Sequence, residues 1–152
     1  MIMQKKIFLG TDHAGFELKE EIKKYLLKHG FQVEDMGAHA LNDEDDYPDL
    51  IVPVAKNVAK SKSSKGIILG GSGQGEAIAA NKINGIRAAV YYGGEPEIVK
   101  MSRTHNDANI LSLGARFLTK KEALEAVKAW LAADFSNEKR HLRRIKKINK
   151  IK

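Results

Sequence analysis

Apolar positions along this chain change period repeatedly, and the changes mark out alternating strands and helices. Lys6 to Gly10 and Phe31 to Asp35 are short β-rich runs, and Phe16 to His29 between them carries apolar residues at 18, 22, 25 and 26. That spacing predicts a helix with one buried stripe, and Gly30 is a natural stop. Tyr47-Pro48 opens a second predicted helix reaching about Lys60, with Pro48 in its first turn and Leu50, Ile51, Val54, Ala55 and Val58 inward. After the polar connector Ser61 to Lys65 comes a third strand, Gly66 to Leu69. Glu76 to Ile83 then reads as a short helix, Arg87 to Tyr92 as a strand and Pro96 to Arg103 as a helix. Asn109 to Leu113 is a fifth strand, and Thr119 to Ala132 a helix with Leu124, Val127, Trp130 and Leu131 inward.

Strands that alternate with helices imply a parallel sheet covered on both faces. The expectation is one α/β/α domain over residues 1–152, with no internal repeat, linker or low-complexity stretch. Ligands of such sheets bind beyond the carboxyl ends of the strands. Three segments are expected to converge on that rim: Gly10 to Gly15, the glycine loop after the third strand, and Ser102 to Asp107, with Arg116 just beyond the fifth strand.

The glycine loop carries the strongest chemistry. Gly70, Gly71, Gly73 and Gly75 fall within six positions, and Glu76 follows in what reads as a first helical turn. Glycines let backbone N–H groups approach a ligand, and a helix start adds partial positive charge. Such a place holds an anion or stabilises an oxyanion, with a potential base beside it. No Gly-Lys-Ser/Thr follows, so the loop is not a P-loop, and Ile78 stands where a dinucleotide fingerprint wants a small residue.

Composition narrows the classes further. The chain has no cysteine, which removes disulfides, thiolate zinc sites and cysteine nucleophiles together. It has no run of 18 apolar residues, and its start turns polar too soon for a signal peptide, so a cytoplasmic location is expected. The net charge of +7 is unevenly spread. Residues 139 to 152 hold eight of the 26 Lys and Arg and no acid, leaving 18 basic against 19 acidic side chains before them. A basic helical arm at about 136–152 is therefore expected. Its readings are a solvated helix, a phosphate-contacting arm or, without aromatic interleaving to support it, a nucleic-acid patch.

Each candidate side chain has a plain structural reading beside its chemical one. Asp12 and His13 could cap a helix or hold sugar hydroxyls and phosphate. His105 lies in a turn-like Thr-His-Asn-Asp. His29 suits a helix C-terminus, and His39 carries no signal. Glu76 complements a helix dipole, which depresses its pKa unless burial offsets it. The His and Asp pairs lack the i,i+4 arrangement of a metal site.

Taken together, Gly-Thr-Asp-His-Ala-Gly-Phe at 10–16, Asp-Tyr-Pro at 46–48, Gly-Gly-Ser-Gly-Gln-Gly at 70–75, Ala-Ala-Asn-Lys-Ile-Asn-Gly-Ile-Arg-Ala at 79–88 and His-Asn-Asp-Ala-Asn at 105–109 resemble the type B ribose-5-phosphate isomerases. Their superfamily includes the galactose-6-phosphate isomerases, and the resemblance runs from Lys6 to about Ile148. It implies a five-stranded parallel sheet in a Rossmann-like sandwich, and a homodimer, often paired into a tetramer, with shared active sites. It implies no metal, cofactor or nucleic-acid partner, and aldose–ketose isomerisation of a sugar phosphate through a cis-enediolate. On this resemblance Asp12, His13, Tyr47 and Asn106 contact substrate, and Gly71, Ser72, Gly73, Gln74 and Gly75 form the anion-hole loop. His105 is the ring-opening acid. Arg116, Arg140 and Arg144, with His141 beside them, bind phosphate, the terminal pair reaching the other subunit's site. Many members have a cysteine base where Gly70 stands; this chain matches the branch that uses the glutamate, here Glu76, with Ser72 as a nearby hydroxyl. That branch is less uniform in substrate, which leaves ribose 5-phosphate beside tetrose and hexose phosphates, and a non-catalytic sugar-phosphate or nucleotide-binding module as the rival.

Overall fold

The computed structural model describes residues 5–151. Five strands, β1 (Lys6–Thr11), β2 (Gln32–Asp35), β3 (Lys65–Gly70), β4 (Ala88–Tyr91) and β5 (Ile110–Gly114), form one sheet in the order β2-β1-β3-β5-β4. Every pairing is parallel. The helices are α1 (Phe16–Lys28), α2 (Tyr47–Ala59), α3 (Gln74–Asn81), α4 (Glu97–Thr104), α5 (Lys120–Ala132) and α6 (Lys139–Ile148). The basic arm expected at 136–152 contains α6; Lys152 lies outside the described residues.

Two apolar layers sandwich the sheet. One packs Ile22 and Leu26 of α1, Val99 of α4 and Val127 and Trp130 of α5 on Ile7, Leu9, Ile67 and Leu111. The other packs Ile51, Val54, Ala55 and Val58 of α2 and Ala80 of α3 on Phe8, Ile68 and Ile110. Strand residues that point to opposite faces thus both find cover, which is why β3 and β5 read as continuous apolar runs.

Local chemistry sets the element ends. Thr119 and Glu122 close a reciprocal capping box at the start of α5. Gly73 takes a left-handed φ of 76° to turn β3 into α3, where a Cβ would press on the Leu113 backbone at 2.9 Å. Helix α3 starts two residues earlier than the apolar pattern predicts, because the glycine turn leads straight into it.

The strand order reverses between β1 and β3, so the loops after these strands flank a crevice at the carboxyl edge. Thr11 ties them, its hydroxyl donating to the Leu69 carbonyl at 3.2 Å. One expectation fails at this level. Ser102 to Asp107 lies at the opposite, amino edge of the sheet, because α4 runs back antiparallel to the strands before β5 begins. Arg87, at the start of β4, donates to the carbonyls of Asn106 and Asp107 at 2.9 and 3.2 Å, which fixes that placement.

Candidate active site

Glu76 is the centre of the carboxyl rim. It sits in the first turn of α3 and is only 4% exposed. Burial pushes its carboxyl pKa up; its own backbone N–H opposes this, while the charge and hydrogen bond of Asp12 add to the rise. Desolvation therefore outweighs the helix start. Gly70 makes the room for this. A Cβ at position 70 would overlap the Glu76 carboxyl group, so the carboxylate fills the volume where another residue's side chain would begin.

The loop over Glu76 is held from several sides. Gly70 and Gly71 accept hydrogen bonds through their carbonyls from the N–H of Ala115 and Arg116, at 2.8 and 3.0 Å. Since C=O and N–H of a trans peptide point opposite ways, the N–H groups of Gly71 and Ser72 face away from β5. The Ser72 hydroxyl accepts from the Gln74 N–H at 3.2 Å, and the buried Ser112 hydroxyl donates to the Gly73 carbonyl at 2.6 Å. Tyr47 lies across Gly75, whose Cβ would come within 2.7 Å of its hydroxyl. The Arg116 guanidinium lies beside Gly71, 3.1 Å from where a Cβ would stand, and the side chain is exposed.

Asp12 and His13 complete this rim. Asp12 is 6% exposed and caps the short 3-10 turn His13–Gly15, accepting from the Ala14 N–H at 2.9 Å. It is thus both a cap and a neighbour of Glu76. His13 Nδ1 pairs with Asp45 Oδ1 at 2.7 Å, and this hydrogen bond is the main cause of its raised pKa. Asp12, His13 and Asp45 bring one ligand atom each within 4.8 Å of one another, and within this group Asp45 Oδ1 is bonded to His13 Nδ1.

His105, Asn106, Arg140, His141 and Arg144 cluster on the amino rim. The rings of His105 and His141 lie 4.4 Å apart, and His141 Nδ1 donates to the His105 carbonyl at 3.1 Å. His141 is 3% exposed, and burial pushes its pKa down; it anchors α6 on the end of α4. Arg140 and Arg144 are exposed, with Arg140 Nε on Glu138 at 2.8 Å. Beside Asn106 opens a cleft of about 1190 Å³, also lined by Asn81, Arg87, Ile148 and Ile151. At about 3.3 Å per residue the strands alone separate the two rims by roughly 15 Å.

Two contributors were not read from the chain. Asp45 belongs to an acidic loop without periodicity and reaches His13 across 32 positions. Ser112 did carry a signal: a lone hydroxyl inside the apolar run Ile110 to Leu113 needs a buried partner.

A parallel sheet with a glycine loop at its switch point and buried carboxyl groups beside it has the architecture of an α/β enzyme whose site joins an anion-binding loop to an acid–base group. The family model described as Ribose/Galactose Isomerase matches residues 7–148, and the chain belongs to that family. It is 42% identical over 140 residues to ribose-5-phosphate isomerase B of Mycolicibacterium paratuberculosis, covering 92% of this chain and 87% of the relative. The ribose-5-phosphate isomerase B of Escherichia coli is 42% identical over 147 residues, covering 97% and 96%. The crystal structure of ribose-5-phosphate isomerase B from Mycoplasma genitalium with bound ribulose-5-phosphate superposes with a TM-score of 0.91 at 39% identity, covering 95% of this chain and 93% of that one.

Proposed function

We propose that this chain interconverts ribose 5-phosphate and ribulose 5-phosphate, with Glu76 moving the proton between C2 and C1. The observation that carries the reading is the buried Glu76 carboxyl beside a glycine loop whose N–H groups face away from β5. In the open-chain aldose, the Glu76 carboxylate takes the proton from C2. The electron pair moves onto the C1 carbonyl oxygen, and the resulting cis-enediolate is held by N–H groups of the Gly71–Gly75 loop. The Glu76 carboxylic acid then returns the proton to C1, while the hydroxyl proton on O2 moves to O1, giving the ketose. Burial raises the Glu76 pKa, the direction that makes its carboxylate a stronger base. The Ser72 hydroxyl and Gln74 shape the loop, and Tyr47 closes the wall over Gly75.

On this reading the enzyme works in the cytoplasm as a homodimer with shared sites. Supporting this is the separation of the rims: the Glu76 half lacks the His105 ring and the exposed arginines of α6, which sit at the other end of the same sheet. One subunit supplies Asp12, His13, Tyr47, the loop and Glu76. The other supplies His105 as ring-opening acid, with Asn106, Arg140 and Arg144. Arg116 stays with the loop to meet phosphate, where a guanidinium suits the geometry. Among the described residues no helix is long and apolar enough to cross a membrane.

Turnover of ribose 5-phosphate without added metal, by the native chain and Glu76→Gln in parallel, tests the reading. Native turnover lost in the variant supports it; a native chain inactive on four-, five- and six-carbon aldose phosphates removes it in favour of a binding module.

A further inference from the structure

The acidic loop 42–46 precedes α2 and is exposed at Asn42, Asp43, Glu44 and Asp46, yet Asp45 turns inward. Its Oδ1 accepts from both the backbone N–H of His13 at 3.2 Å and the ring Nδ1 at 2.7 Å. The side chain is 12% exposed, and Oδ2 is buried without a hydrogen-bond partner among the described residues. Burying a carboxylate this incompletely satisfied is costly unless it is paired. The loop does not need it for closure: the Asn42 side chain accepts from the Glu44 N–H at 3.1 Å and the Asn42 carbonyl from the Asp45 N–H at 3.2 Å. What Asp45 does instead is grip one residue at the end of β1, beside the Asp12–Glu76 pair.

We propose that Asp45 is a positioning residue of the isomerase site: it holds His13 with the proton on Nδ1, leaving Nε2 to bind an oxygen of the sugar phosphate. This rests on the isomerase reading of the Glu76 rim. A carboxylate can only accept, so contact with Oδ1 fixes the hydrogen on Nδ1 and, through the shared backbone bond, the orientation of the ring. The groups facing the ring are all acidic: Asp12 before it on the same turn, and Asp43 and Asp45 from the loop. They keep the imidazole in its cationic form to higher pH, in which Nε2 is also a donor. An otherwise unremarkable acidic surface loop thereby becomes part of substrate recognition.

Asp45→Asn and Asp45→Ala test it. The first keeps an acceptor of the same shape and removes the charge; the second removes both. Expected for Asp45→Asn is a His13 ring titration, followed by NMR, with its midpoint lowered, because the Asp45 hydrogen bond is the main cause of the raised value. Its KM for ribose 5-phosphate should rise roughly fivefold between the variant's midpoint and the native one, and return toward native below both, with kcat within about twofold. Asp45→Ala should raise KM roughly tenfold or more at every pH, since orientation is lost as well. An unchanged KM in both variants, whether or not the midpoint moves, overturns the proposal. If Asp45→Ala fails to fold, Asp45→Asn decides alone. Failure of the isomerase reading is separately visible, as a native chain without turnover. The ring midpoint and the perturbation of the His13 ring by added ribose 5-phosphate then still read the role of Asp45 in binding, and a ring unperturbed in the native chain overturns it.

Discussion

The two ends of this sheet are built on opposite electrostatic plans. The carboxyl rim gathers buried acids, Asp12 and Glu76, under a glycine loop. The amino rim gathers His105, His141 and the exposed arginines of α6 around an open cleft. On the proposed reading the first transfers the proton and steadies the oxyanion, with Arg116 and His13 beside it, while the second adds His105 and the exposed guanidinium groups of α6. These two sets of groups are separated by the length of the strands, and on the proposed reading a second copy joins them.

The contrast breaks most completely at Glu76. Glu76→Gln is expected to lower kcat by roughly 10²–10⁴-fold while ribose 5-phosphate still binds, read by steady-state kinetics and calorimetry. The same variant should melt higher than the native chain at neutral pH. The sign follows from the raised carboxyl pKa: the native state favours the protonated form, so its relative stability is fullest below 4.5 and is lost as pH rises through the folded value. The variant carries no such loss, and its advantage should vanish at low pH in a thermal-melt series.

Next in size is a mixing test of the shared site. Glu76→Gln and His105→Ala, each inactive alone, should recover activity when subunits exchange, up to roughly a quarter of the native sites at equal mixing. The pair Glu76→Gln and Arg140→Ala should behave alike, because Arg140 sits on the rim that carries His105. No recovery despite exchange, followed by native mass spectrometry, would place both halves in one subunit's site.

Gly70→Ala is expected to cost about 1–3 kcal/mol in denaturant unfolding and most of the activity, because the new methyl displaces the Glu76 carboxyl. The stability loss should shrink when Glu76→Ala is added, a coupling that a double-mutant cycle measures. Smallest is Gly75→Ala, where the methyl meets the partly exposed Tyr47 ring, the kind of neighbour that can swing aside. A KM increase of a few-fold with little change in kcat is expected, from steady-state kinetics.

How much of this could be read before the fold was in hand differs by residue, for physical reasons. The alternation of strand and helix was legible because the period-2 and period-3.6 patterns are local, and the boundaries shift by only one or two residues. The glycine loop was legible because four glycines before a carboxylate do one kind of work. Which rim Ser102 to Asp107 occupies was misread: local pattern gives the helix, but its direction in the sheet decides which end of it faces substrate. Glu76 stayed ambiguous because its helix position and its burial push the carboxyl pKa in opposite directions, and only packing sets their balance. Asp45 was invisible, since nothing in an acidic loop marks the one side chain that folds inward.

The overlap between a Cβ at position 70 and the Glu76 carboxyl also has an evolutionary reading. A side chain at position 70 and the Glu76 carboxyl group would compete for one volume, so either must displace the other. As long as Glu76 keeps this place, position 70 is held to glycine by a side chain six positions further along the chain.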